Sequence, residues 1–124
     1  MAVTHELEHN ETQLTIRVVE ALDLKAMEKA YDLIKQHIPL GIRSILLFPA
    51  EAPLSVAVVD AVKFGRRIGD LLAGTGIVVA VVEAPRQKYK SYADSQVFIK
   101  GVKIAEFDDK KRARDWLKTA LASN

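Results

Sequence analysis

The chain has 124 residues, is 49% hydrophobic and 27% charged, and carries a formal net charge of +2. That length fits one domain over residues 1–124, large enough for a shared core without staples. Cysteine is absent, which removes disulfides, thiol catalysis and zinc–thiolate sites and fits a reducing compartment, while the small net charge gives no reason to expect nucleic acid. No apolar run is long enough to span a bilayer, and the opening MAVTHELEHNETQ has neither the basic patch nor the apolar run of a secretory signal. No integral membrane segment and a cytoplasmic location are therefore expected.

The first two elements flank Asn10. In ETQLTIRVVE, Leu14, Ile16 and Val18 alternate with Thr15, Arg17 and Val19, the period of a half-buried strand. With VTHELEH before it, the pattern predicts a hairpin turning near Asn10. A helix follows, with Met27, Ala30, Tyr31, Ile34 and Ile38 on one stripe. Asp23 is placed to cap it, Leu22 and Met27 to staple it, and Pro39 and Gly41 to end it.

SILLF and GIVVAVVE are short, rich in strand-forming residues and apolar on both faces, as buried parallel strands are. Between them the spacing predicts a helix over 53–73, opened by Pro53 and closed by Gly74 and Gly76. Strand, helix, strand implies a right-handed crossover. Leu54, Val58, Ala61, Gly65, Ile68 and Leu72 share the core side of that helix, and Lys63, Arg66, Arg67 and Asp70 lie away from it. Residues 85–97 read as a helix with Tyr89, Tyr92, Ala93 and Gln96 on one side, or 97–107 as a hairpin around Lys100-Gly101; the helix is preferred, with a last strand at 102–107. The final helix is capped by Asp108 or Asp109. Ala113, Trp116, Leu117, Ala120 and Leu121 follow its apolar spacing, and Trp116 is expected to be mostly buried.

The expected architecture is α/β: a single domain with a mixed, mostly parallel five-stranded sheet wrapped by about four helices. The closing stretch KIAEFDDKKRARDWLKTAL carries a resemblance. Phe107, Asp108, Ala113, Trp116 and Leu117 stand where the SpoIIAA-like, or STAS-like, family of small bacterial proteins places a strand, Phe-Asp, a few polar residues, Ala and then Trp-Leu. The order of elements is similar too. The resemblance implies a β-α superhelix and a bacterial, non-enzymatic regulatory or protein-interaction module. One branch of that family antagonises anti-sigma factors through a serine that a kinase phosphorylates, at the start of the second helix in an Asp-Ser-Ser-Gly-like motif. The corresponding stretch here is PAEAPLSVAVVD, where Ser55 is close by and the Asp-Ser-Ser-Gly run is absent. Ser55 is expected not to be a phosphoswitch, because Glu51 and Asp60 stand near enough to oppose phosphate.

Two surfaces stand out. Val56 and Val59 interrupt the outer, polar side of the 53–73 helix, beside Lys63 and Arg66, so Val56, Val59, Lys63 and Arg66 form a candidate interaction surface for a protein partner or a second copy. Ligands in parallel sheets collect at the carboxyl ends of strands. Phe48, Glu51, Ser55, Glu83, Arg86 and Tyr89 would border a crevice there, the place for the alternative function of a small-ligand or lipid carrier with an apolar or anionic ligand. DDKKRARD puts Lys110, Lys111, Arg112 and Arg114 at the start of a helix, where cations oppose the macrodipole; it reads as a solvated face that a partner with acidic groups would also suit. His5, His9 and His37 read as solvated surface histidines, with no metal-ligand spacing. No phosphate loop or nucleophile elbow is visible. Neither a catalytic group nor a cofactor is expected.

Overall fold

The structure, a computed structural model, describes residues 3–18, 24–48, 58–82, 102–107 and 109–122. Strands β1 (Val3–Glu8), β2 (Gln13–Val18), β3 (Ser44–Phe48), β4 (Val78–Val82) and β5 (Ile104–Phe107) form one sheet in the order β1-β2-β3-β4-β5. β1 is antiparallel to β2, and every other pair is parallel. The helices are α1 (Leu24–His37), α2 (Val58–Leu72) and α3 (Lys110–Ala122), with a 3-10 turn at Ile38–Leu40. The expected mixed, mostly parallel sheet is therefore present. The helix expected over 85–97, the N-cap at Asp23 and the first turn of the 53–73 helix lie outside the described residues. None of the described helices is long and apolar enough to cross a membrane.

Alternation on the inner strands sorts their side chains into two layers. Leu14, Ile16, Ile45, Val79 and Val81 face one way and pack with Ala30, Leu33 and Ile34 of α1 and Ile68 and Leu72 of α2. Leu46, Val78 and Ala80 face the other way and pack with Ala113, Leu117 and Ala120 of α3. Ala80 and Ala113 are both fully buried; two such small side chains let α3 lie close to the middle of the sheet. Trp116 keeps only a minor part of its surface exposed, in line with the expectation, and sits at the margin of this layer, its ring tilted 51° to Phe107 at 5.9 Å. Leu117, one residue on, takes the central position. The last strand is shorter than expected, starting at Ile104.

The hairpin turn runs from His9 to Thr12, where His9, Asn10 and Glu11 are all left-handed at φ 54, 58 and 66. Thr12 closes the turn by donating its hydroxyl to the His9 carbonyl at 2.7 Å. The Thr12 carbonyl then accepts from the backbone N–H groups of Arg43 and Ser44, at 2.7 and 3.2 Å, which ties the turn to the start of β3. Gly41, at φ 94, provides the left-handed link from the 3-10 turn. His37 corrects the expectation of solvated histidines. It is 8% exposed, donates Nδ1–H to the Leu33 carbonyl at 2.6 Å and has the His5 ring edge-on at 5.3 Å. Its position in the last turn of α1, over β1, buries it; His5 and His9 are exposed, and His9 lies in the turn rather than on the strand.

Candidate functional site

The solvent side of α2 is built by its own periodicity. Gly65, Ile68, Gly69 and Leu72 are buried, while Lys63, Arg66, Arg67 and Asp70 are exposed. Arg67 is drawn sideways to α1: its guanidinium pairs with Glu28 and lies 4.1 Å from the centre of the Tyr31 ring. The hydrogen bond from Arg67, first, holds the Glu28 carboxyl below its ordinary value, and the same bond raises the guanidinium. Lys63 and Arg66 make no such contact among the described residues and remain presented to solvent. Of the other two members of this surface, Val59 belongs to α2 and Val56 lies outside the described residues.

Of the six crevice residues, Phe48 alone is described; Glu51, Ser55, Glu83, Arg86 and Tyr89 lie outside the described residues. Phe48 ends β3 on the α3 side of the sheet, at the carboxyl edge where the crevice is expected. Two cations converge on its ring: the Arg17 guanidinium at 4.2 Å and the Lys110 ammonium at 5.9 Å from the centroid. Arg17 is the register partner of Phe48 on β2, so parallel pairing sets it beside the ring, and Lys110 opens α3. Such pairs are worth roughly 0.5–1 kcal/mol at exposed sites. Arg17 escapes a single-strand reading because its neighbour becomes visible only once the register is known.

A polar network occupies the same side of the sheet, around Glu8. Thr15 is fully buried and donates its hydroxyl to Glu8, Gln13 donates Nε2–H to Glu8 at 3.3 Å, and Arg114 of α3 reaches Glu8 at 3.3 Å. The Thr15 hydroxyl, above all, and then the Arg114 charge hold the Glu8 carboxyl below the ordinary glutamate range, against partial burial, which raises it. The Arg114 Nε is closed off from solvent and has no hydrogen-bond partner among the described residues, a costly arrangement for a donor. Beside it lies an open concavity of about 430 Å³, walled by Lys110, Lys111, Arg114 and Lys118 of α3 with Asp109 and Asp115 between them, and bounded by His9. Asp109 caps α3 by accepting from the Lys111 N–H at 3.0 Å.

Between α1, α2 and the sheet there is a void of about 30 Å³, walled by Ile34, Ile45, Leu47, Phe64, Ile68 and Val79 among other apolar side chains. Its described lining is wholly apolar. No three His, Asp or Glu side chains gather into a metal-binding group among the described residues.

The strand order, with helices α1 and α2 on one face of the sheet and α3 on the other, defines a SpoIIAA-like α/β fold, and solved structures agree. The chain superimposes on an uncharacterized protein of the DUF3478 family with a SpoIIAA-like fold, from Shewanella loihica PV-4, with a TM-score of 0.60 and 21% identity over 94% of each chain. It superimposes equally on the anti-sigma factor antagonist SpoIIAA in its unphosphorylated form, with a TM-score of 0.63 and 16% identity over 94% of this chain and 97% of that one. At these identities the likeness is one of fold. No family model matches the sequence, and no curated protein matches it.

Proposed function

We propose that this chain is a non-enzymatic regulatory module of the STAS-like type, which acts by binding another protein or a second copy of itself through the outward face of α2. One observation carries the reading: nearly the whole chain shares its fold with SpoIIAA, an anti-sigma factor antagonist. The exposed Lys63 and Arg66, on the side of α2 away from the core, supply a surface for it. The helical spacing of the sequence would set Val56 and Val59 near them, adding apolar area to a cationic rim, the composition of a contact surface. Ser55 plays no switching part in this reading; intact-mass analysis of protein from its own host would show no phosphorylated form, and a phosphorylated form mapped to Ser55 would contradict that.

Sedimentation velocity, together with affinity capture from host cells, tests the proposal. The wild type self-associates or retains one discrete partner. Val56→Glu/Val59→Glu and Lys63→Glu/Arg66→Glu lose that association while keeping the wild-type far-UV dichroism. A wild type that stays monomeric and retains no partner, or variants that associate as the wild type does, would overturn it.

A further inference from the structure

Three features make the concavity between the hairpin turn and α3 more than a solvated helix face. The first is charge placement. Lys110 and Lys111 stand at one end of its wall, Lys118 at the other and Arg114 between them. Among the described residues no carboxylate lies within ion-pairing distance of Lys110 or Lys118, whereas Lys111 holds Asp115 at 3.5 Å and Arg114 holds Glu8. The second is local cost. The first turn of α3 contains no acidic residue and begins with two lysines, where cations oppose the macrodipole; the Asp109 cap offsets only part of that cost. The third is shape: the cations line a hollow of about 430 Å³ instead of projecting from a convex surface.

The spacing selects the ligand. Lys110, Arg114 and Lys118 succeed one another by four residues, a rise of about 6 Å per step along the helix. Alternate residues of an extended chain are about 6.6 Å apart and point the same way. A lone phosphate is too small to meet both ends of such a row. Nucleic acid suits it poorly, because a continuous row of phosphates is matched by cations spread along a groove, whereas the cations of this hollow lie along one helix. A hollow also fits a flat membrane surface poorly. We infer that this concavity is a docking surface for an acidic polypeptide segment in extended form, with carboxylates directed to Lys110 and Lys118 on either side of Arg114, which Glu8 already holds. Glu8 already shows the mode within the chain: it is a strand carboxylate held by Arg114. The inference rests on the proposed interaction function and adds to it a second surface, on the opposite side of the sheet from α2, and the chemistry of what binds there.

Fluorescence anisotropy with a short labelled peptide of alternating Ser and Glu tests it, with a Ser-Lys peptide as control. The acidic peptide binds the wild type, more weakly as salt rises, and the control does not bind. Lys110→Glu/Lys118→Glu weakens binding by about tenfold or more, and Lys118→Glu alone, at an exposed site clear of Phe48, weakens it by a smaller factor. Absence of peptide binding, or equal binding by wild type and both variants, overturns the inference. Tighter binding to duplex DNA or to phosphatidylserine vesicles than to the peptide overturns it as well. Lys63→Glu/Arg66→Glu retains peptide binding. A failure of the peptide with partner capture intact therefore removes this surface and leaves the proposed function standing, whereas loss of capture with peptide binding intact has the reverse meaning.

Discussion

Arg114 of the last helix and Glu8 of the first strand, 106 residues apart in sequence, meet at 3.3 Å. Their side chains are 32% and 26% exposed, so the pair is partly shielded, and the fully buried Thr15 hydroxyl adds a third member. Through it the edge of the sheet that α3 does not cover is joined to α3.

The pair makes stability depend on pH in a defined direction. The Glu8 carboxyl is held below its ordinary value by Thr15 and Arg114, so its contribution is fully present above the unfolded-state value of about 4.3. It is lost as pH falls through the lower folded-state value. Glu8→Gln keeps an acceptor for Thr15 and removes the charge. The variant is expected to be less stable than the wild type by about 1 kcal/mol at neutral pH, with the gap closing below about pH 4. Urea melts at several pH values check this; a gap that is constant with pH would show that the charge contributes nothing.

Packing against α3 is centred on Leu117, which is 2% exposed, and not on the partly exposed Trp116. Leu117→Ala is expected to cost about 3 kcal/mol, through lost burial and the cavity left between α3 and the sheet. Trp116→Ala should cost less, about 2 kcal/mol, because Trp116 lies at the margin of the layer, beside Phe107, with part of its surface in water. Denaturant unfolding of both variants decides the order, and a larger loss for Trp116→Ala would contradict the layer described.

The hairpin turn offers a stabilising change. Glu11 is exposed, left-handed at φ 66 and follows two other left-handed residues. Such a conformation costs a non-glycine residue about 1–2 kcal/mol, and glycine regains part of it after its own entropy loss. Glu11→Gly is expected to stabilise by about 0.5 kcal/mol, read as a higher urea midpoint. A lower midpoint would mean the turn does not have this geometry.

Periodicity made most of the fold legible. The two-sided apolar runs at SILLF and GIVVAVVE announce inner parallel strands, and the stripes through Met27, Ala30 and Ile34 and through Ala113, Leu117 and Ala120 announce the covering helices; these six helix residues are all buried. What periodicity cannot give is how far a side chain lies from the centre of a layer. Trp116 and Leu117 satisfy the same spacing, and only the position of α3 over β4 tells them apart. His37 looked like a solvated helix end because its burial depends on β1, far away in sequence. Of the two candidate surfaces, the described residues give only positions: Lys63 and Arg66 are exposed as the helical spacing required, and Phe48 lies at the carboxyl edge. Arg17 and Glu8 were invisible, since each acquires its role from a partner on another element.

The central claim is that the outward face of α2 binds another protein chain. A photocrosslinking amino acid in place of Arg66, with one in place of the exposed Lys35 on α1 as control, tests it most directly in host cells. The account predicts one discrete heavier product from position 66, identified by mass spectrometry as a partner or a second copy, and none from position 35. Monomer alone from position 66, or the same diffuse products from both positions, would contradict it.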